Sequence, residues 1–117
     1  IRQLVSSHVQ GYGGEVTIDY QRGYPVVVNS EAETAFARQV AEELVGADSV
    51  TAPYPPLAGS EDFAYYLQRK PGCFLRLGNG TEGALLHNPK YDFNDEILTT
   101  GAAYWVRLAE RFLAAEA

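Results

Sequence analysis

A single histidine, His87, stands in the polar stretch Leu85–Glu96, shortly before the last apolar helical pattern of the chain. Neutral imidazole is the commonest metal ligand in proteins, and metal sites favour loops at the ends of strands and helices. Asn88 and Pro89 are expected to fix the conformation of this loop. Zinc needs three or four ligands, however, and the second histidine, His8, lies far upstream in what the pattern predicts to be another domain. Because one imidazole does not hold a metal ion, a surface or packed neutral histidine is the commoner alternative for the residues taken alone.

A second polar group, Ser60, Glu61 and Asp62, lies within Gly59–Tyr66. Two carboxylates could carry out acid–base chemistry, and Ser60 could act as a nucleophile if a base lay nearby. Adjacent positions on a helix point about 100° apart, so the two carboxylates cannot face one site. Negative charge in the first turn of a helix capped by Ser60 explains the same residues. From the residues alone, the structural explanation is favoured.

Cys73 and the loop that follows it give two weaker signals. Cys73 could form a thiol nucleophile with His87 as its base. It falls in phase with Leu75 and Leu77, however, which favours a buried structural cysteine. The loop Gly78–Thr81 follows a predicted strand, as a phosphate-binding loop does, but it lacks the Lys-Ser/Thr ending and the adjacent helix.

The composition is that of a folded acidic protein. The chain has 117 residues, 46% of them apolar, with eight tyrosines and five phenylalanines. Nine basic residues against 15 acidic ones give a net charge of −6, which argues against a nucleic-acid partner. No apolar run approaches the roughly 18 residues that a membrane span requires. The single cysteine excludes an internal disulfide and favours a reducing, cytoplasmic compartment.

Periodicity and capping residues predict an alternating order of elements. A first helix, which lacks a capping residue and is expected to be cut at its start, ends at the glycines that follow Gln10. An alternating strand, Glu15–Tyr20, follows it. The elements predicted after residue 25 are a short apolar segment at 26–28, a helix from a Ser30/Glu33 capping box to Gly46, a strand at 48–52, a helix capped by Ser60 and ended by Pro71, a strand at 73–77, and a long helix capped by Asn94.

This alternation of strands and helices predicts an α/β fold with a layered sheet. The first helix and strand are instead typical of an α+β domain. The break at residues 22–25 is the predicted domain boundary. The predicted domains are therefore 1–24 and 25–117.

Four segments resemble a family of zinc-dependent amidohydrolases and metallopeptidases that includes hippurate hydrolase, the auxin-conjugate hydrolases, carboxypeptidase G and aminoacylase. The segments are Tyr20–Asn29, Gly59–Phe63, Leu77–Gly80 and Leu86–Asp95. The resemblance covers essentially the whole chain, and several motifs in the right order are more specific than any one of them. It implies that 1–24 is the remnant of a lid or dimerisation domain and that 25–117 is the C-terminal segment of the catalytic domain.

The same resemblance implies roles for four residues. His87 would be a metal ligand, and Gly59, Ser60 and Asn79 would line the substrate cleft. No catalytic residue is assigned, because the family's general base and remaining metal ligands have no counterpart in this sequence.

The implied reaction is hydrolysis of the amide bond of a hippurate-like N-acyl amino acid by water activated between two divalent ions, Zn, Mn, Co or Ni. The parent enzyme is expected to be a homodimer that acts on a small molecule and binds neither nucleic acid nor membrane. As a fragment, this chain alone is expected to be inactive and to bind no metal. The alternative is a stand-alone interaction or dimerisation module without catalysis, in which the strand Glu15–Tyr20 pairs between copies.

Overall fold

A computed structural model of the chain describes residues 1–115. Four α-helices follow one another in the order α1 (Arg2–Gly11), α2 (Glu31–Val45), α3 (Phe63–Leu67) and α4 (Leu98–Ala115). Short 3₁₀ helices at Ala47–Ser49 and Asp95–Ile97 follow α2 and precede α4. None of the helices in this part of the chain is long and apolar enough to cross a membrane.

Helices α2 and α4 form the main packed unit. Glu31 and Glu33 lie in the first turn of α2, where negative charge is favourable, and Gly46 ends the helix with a φ of 84°. Phe36 of α2 meets Phe112 of α4 edge to face, with ring centroids 6.4 Å apart. The buried apolar side chains of the described residues are few, and they are Ala37, Val40, Ala64 and Tyr104.

Hydrogen bonds join the two residues just before α2 to a segment more than 40 positions later. The Asn29 side chain pairs with the Phe74 peptide: Nδ2 donates to the Phe74 carbonyl over 2.9 Å, and Oδ1 accepts from the Phe74 amide over 2.8 Å. Ser30 adds two bonds to Gly72, one from its amide at 2.9 Å and one to its hydroxyl oxygen at 3.1 Å. These four hydrogen bonds, named here the Asn29 junction, reproduce part of what a strand pair would supply.

Helix α4 has apolar residues on two faces. On the inner face, Gly101 lies so close to Leu77 that an added Cβ would stand 3.3 Å from a methyl carbon of that leucine. The outer face carries apolar side chains that are each more than half exposed: Leu98, Trp105, Val106 and Leu113. Apolar residues on both sides are typical of a helix that lies between two layers of structure.

The chain exposes far more surface than a compact domain of its size. Its accessible area is 10249 Å², whereas a folded protein of 12.8 kDa has about 6,300 Å². The radius of gyration is 20.7 Å, against about 13 Å for a compact domain of this length. Much of the apolar side-chain surface of the chain is therefore not buried within residues 1–115.

Helices form where the sequence predicts them, but α3, Phe63–Leu67, is shorter than the predicted helix between Ser60 and Pro71, and two predicted caps are absent. The hydroxyl of Ser30 does not cap α2, because it accepts from Gly72 instead. Ser60 does not cap α3, which begins later, after Asp62, with a side-chain oxygen of Glu61 accepting from the Phe63 amide over 3.1 Å. At Ser30 the hydroxyl accepts from another part of the chain, and α3 begins three residues after Ser60, so neither serine side chain caps its helix.

The predicted strands are absent from the described residues. Segments 15–20 and 73–77 have no regular structure, and the predicted strand at 48–52 overlaps the 3₁₀ helix Ala47–Ser49. A strand exists only where a neighbour completes its hydrogen-bond ladder, and no such ladder forms within residues 1–115. The layered α/β sheet and the division at residue 25 stay predictions.

Tyr104 gives the α2–α4 contact a testable pH dependence. Its hydroxyl donates to the Ala37 carbonyl over 3.2 Å, and burial, with a smaller effect of nearby Cys73, raises the pKa of the phenol above its usual value. The folded state thus holds the proton more tightly, so this stabilisation is complete below the unfolded pKa of about 10 and is lost as the pH rises through the folded pKa. We expect Tyr104→Phe to cost about 1 kcal/mol at pH 8 and to remove this alkaline loss.

Urea unfolding at pH 8 and above pH 10 measures both effects, with Tyr66→Phe as the control because Tyr66 is exposed. An alkaline loss of stability that persists unchanged in Tyr104→Phe would show that another group causes it.

Candidate functional site

The loop around His87 is shaped by its own backbone and by Asn88. His87 has a φ of 67°, in the left-handed region that few non-glycine residues adopt. The Asn88 amide donates to the Leu85 carbonyl over 3.2 Å, and the Asn88 carbonyl accepts from Tyr91 over 2.9 Å. The Asn88 side-chain oxygen accepts from the Lys90 amide over 2.9 Å. These consecutive turns leave the imidazole of His87 exposed to solvent.

The side chain of Asn79 binds the backbone that follows this loop. Its Nδ2 donates to the Asp92 carbonyl over 2.9 Å, and its Oδ1 accepts from the Asn94 amide over 2.8 Å. Asn94 in turn accepts from the Glu96 amide over 3.1 Å and caps the 3₁₀ turn that leads into α4, as the sequence predicts. Asn79 therefore positions the segment that joins the His87 loop to α4, while its predicted part in substrate binding stays a prediction.

Gly59 and Ser60 lie in the irregular, exposed segment that precedes α3. No hydrogen bond within the described part of the chain fixes the Ser60 side chain, and no histidine or other base is bonded to it. The carboxylate of Glu61 is engaged at the start of α3. The structure thus does not bring Gly59 and Ser60 into a built site with His87, and their role in the substrate cleft stays a prediction.

The described residues do not form a metal site by themselves. No three His, Cys, Asp or Glu side chains within residues 1–115 are grouped so that they could hold an ion. His8 of α1 lies edge to face with Tyr12, which follows the helix, with ring centroids 5.4 Å apart. The thiol of Cys73 lies 3.4 Å from Nδ2 of Asn29 at the Asn29 junction, where a structural role accounts for it. His87 alone is too few ligands for zinc.

Two of the open grooves formed by residues 1–115 lie beside α2 and α3. One, of about 580 Å³, runs along α2, where Arg38 and Glu42 pair with each other at 2.6 Å. The other, of about 450 Å³, lies between residues 20–25 and α3. Its described lining is Tyr20, Arg22, Gly23, Tyr24, Pro25, Tyr65 and Gln68, and we name it the Arg22 groove.

The sequence pattern at residues 22–25 predicts only a domain boundary, and it does not predict the Arg22 groove. The groove joins positions more than 40 residues apart, and no local spacing indicates that they meet. The only hint is the group of tyrosines beside an arginine and a proline that opens the segment Tyr20–Asn29.

Comparison with known protein families identifies the family of these residues. Residues 4–111 match the profile of peptidase family M20/M25/M40. The chain belongs to this family. The matched range contains His87, Asn79 and the residues that line the Arg22 groove, so the features described above lie within the family domain.

Relatives with assigned names match most of this chain and a small part of themselves. Hippurate hydrolase of Campylobacter jejuni is 34% identical over 85% of this chain and 26% of its own length. The IAA-amino acid hydrolase ILR1-like 4 of Arabidopsis thaliana is 33% identical over 97% of this chain and 27% of its own length. The N-acetylcysteine deacetylase of Bacillus subtilis is 33% identical over 93% and 28%, respectively.

The chain thus spans about a quarter to a third of the length of most of the curated relatives that it matches. No solved structure matches it. The M20 match and these names support the resemblance seen in the four sequence segments.

Proposed function

We propose that this chain is the C-terminal part of an M20-family amidohydrolase that hydrolyses hippurate-like N-acyl amino acids. The observation that carries this proposal is the family match over residues 4–111. The named relatives support the reaction type, because they are a hydrolase of hippurate, a hydrolase of IAA-amino acid conjugates and a deacetylase of N-acetylcysteine.

We place His87 as one ligand of a two-metal site in that enzyme. Such a metal pair polarises a carbonyl and lowers the pKa of bound water. Since the described residues hold no group of three ligands, the others would come from the longer chain that the relatives have. Within this chain, Asn88 shapes the His87 loop and Asn79 ties it to the start of α4.

The layered α/β architecture is part of the same proposal. The exposed outer face of α4 would be covered by a sheet completed by the rest of the enzyme, because Trp105 and its apolar neighbours are otherwise left in water. Helix α1 and residues 15–20 would belong to a lid domain through which the enzyme forms a homodimer. An exposed segment with Val16 and Tyr20 at its surface suits such edge pairing.

A chimera tests the reaction. The segment of C. jejuni hippurate hydrolase that corresponds to this chain is about a quarter of that enzyme, and it is replaced by the present sequence. We expect the chimera to release glycine from N-benzoylglycine and to lose this activity on treatment with a chelator. The isolated chain is the matched control and should release none.

Thermal unfolding of the chimera reports whether the two parts have assembled. A chimera that unfolds cooperatively near the temperature of its parent but does not hydrolyse any of the three relatives' substrates would contradict the proposal. Hydrolysis by the isolated chain would contradict the assignment of a split site.

A further inference from the structure

We propose that Asn79 is a positioning residue for His87: its side-chain amide closes the loop of residues 80–91 and so fixes where the imidazole stands in the enzyme. This inference rests on the proposed function, and it assigns to Asn79 an action through the backbone of the loop instead of a contact with substrate. The loop of residues 80–91 contains the turns around His87 described above.

The amide of Asn79 bonds at two points to the short backbone segment that follows the loop. Nδ2 donates to the Asp92 carbonyl over 2.9 Å, and Oδ1 accepts from the Asn94 amide over 2.8 Å. Asn79 itself precedes the loop and is half-buried. Because a single bond would leave a pivot and the second bond also fixes the orientation, the amide joins the two ends of the loop in a defined geometry.

Helix α4 supplies a base for these two ends. Before the loop, Leu77 lies so close to α4 that an added Cβ at Gly101 would stand 3.3 Å from its methyl carbon. After the loop, Asn94 caps the 3₁₀ turn that leads into α4 by accepting from the Glu96 amide. Both ends are thus attached to one element, and the length of the loop falls within that of compact, frequently functional Ω-loops, about 6–16 residues.

No other hydrogen bond attaches the loop to the rest of the described chain. Among the hydrogen bonds of residues 1–115, those made by residues 80–91 each join two members of that range. They shape the turn around His87, whose φ of 67° is costly for a residue other than glycine and persists only where its surroundings determine it. They do not determine where that turn lies relative to α4. This placement depends on the ends of the loop, which the Asn79 amide joins.

Positioning and substrate contact predict different kinetics for Asn79. Each polar atom of its amide already serves the backbone around the loop. A residue that only holds reacting groups in place affects the catalytic step, whereas a residue that binds substrate equally in the ground and transition states affects KM. We therefore expect the loss of the Asn79 amide to lower kcat at a nearly constant KM.

Hydrogen exchange of the 117-residue chain, followed by NMR, tests the effect on the loop without metal or substrate. We expect Asn79→Ala to raise the exchange rates of the Lys90 and Tyr91 amides at least about fivefold, because both are bonded within the loop and neither is bonded to the Asn79 side chain. The Gly46 amide, which bonds to Glu42 at the end of α2, should keep its rate and shows that the fold is retained.

Steady-state kinetics of the chimera with C. jejuni hippurate hydrolase tests the effect on the reaction. Asn79→Ala should lower kcat for N-benzoylglycine about tenfold or more and leave KM within about twofold. Asn79→Gln should recover part of this loss, because it keeps both a donor and an acceptor on a longer side chain. Gln39→Ala is the matched control, since it removes an exposed amide that bonds to Glu43 on α2 and should change neither constant by more than about twofold.

A rise in KM of about tenfold at constant kcat would show that Asn79 contacts the substrate, and it would overturn the proposal. Loop amides that exchange at the same rate in Asn79→Ala and in the unsubstituted chain would also overturn it, as would equal kinetic effects of Asn79→Ala and Gln39→Ala. An unsubstituted chimera without activity would contradict the proposed function, whereas unchanged loop exchange beside an active chimera would contradict only the role of Asn79.

Discussion

Replacing His87 with alanine in the chimeric enzyme is expected to reduce hydrolysis of N-benzoylglycine by about 100-fold or more. Loss of residues that only support a metal ligand already costs about 10- to 100-fold, so loss of a ligand itself should reach at least the upper end. The geometry fits this role, because the loop presents an exposed imidazole at a φ of 67°, with one turn that spans His87 and a second turn directly after it. Steady-state rates and metal content of the purified chimera measure the effect.

Two further variants show whether the imidazole or the backbone matters. His8→Ala removes the other histidine, on an exposed position of α1, and should leave the rate within about twofold. His87→Gly keeps a residue that adopts positive φ without strain but lacks the imidazole, so it should be as inactive as His87→Ala. Recovery of activity in His87→Gly would mean that His87 serves the turn and does not bind metal.

The sequence predicted the helices well because their signals are local. The glycines after α1, Gly46 after α2 and the apolar stripe of α4 each act within one or two turns, and all three helices form as expected. The predicted cap by Ser30 is absent for a non-local reason, because its hydroxyl accepts a hydrogen bond from the amide of Gly72, far along the chain. The strands at 15–20 and 73–77 depend on neighbours that the described residues do not supply, so their alternating pattern alone could not form them.

In the candidate site, too, features made by adjacent residues are recognisable from the sequence, whereas features that join distant residues are not. His87 was recognisable because the motif around it is continuous in sequence, and its turn is made by the adjacent residues Leu85 to Tyr91. The structural role of Asn79 was not recognisable, since its partners, Asp92 and Asn94, are 13 and 15 positions away. The Arg22 groove brings together still more distant segments, and only the folded chain shows that Tyr24 and Tyr65 meet.

Asn29→Ala is expected to destabilise the chain by about 2 kcal/mol, from two lost hydrogen bonds of about 1 kcal/mol each. Its amide satisfies both the N–H and the C=O of Phe74, and the methyl group of alanine would leave these part-buried groups without a protein partner. Because these bonds join Asn29, just before α2, to Phe74, their loss should also loosen residues 72–77 and, through Asn79, the segment that follows the His87 loop. Urea unfolding, with hydrogen exchange of the Phe74 amide, measures both consequences.

The matched control is Gln39→Ala, which removes an amide that bonds to Glu43 on the exposed surface of α2 and should cost less than about 0.5 kcal/mol. Asn29→Asp refines the test, since the aspartate can still accept from the Phe74 amide but opposes a carboxylate to the Phe74 carbonyl. Near pH 7 it should be close to Asn29→Ala, and below the usual aspartate pKa of about 4 the protonated side chain can donate again and recover part of the loss. Equal destabilisation by Asn29→Ala and Gln39→Ala would show that the Asn29 junction does not hold the two halves of the chain together.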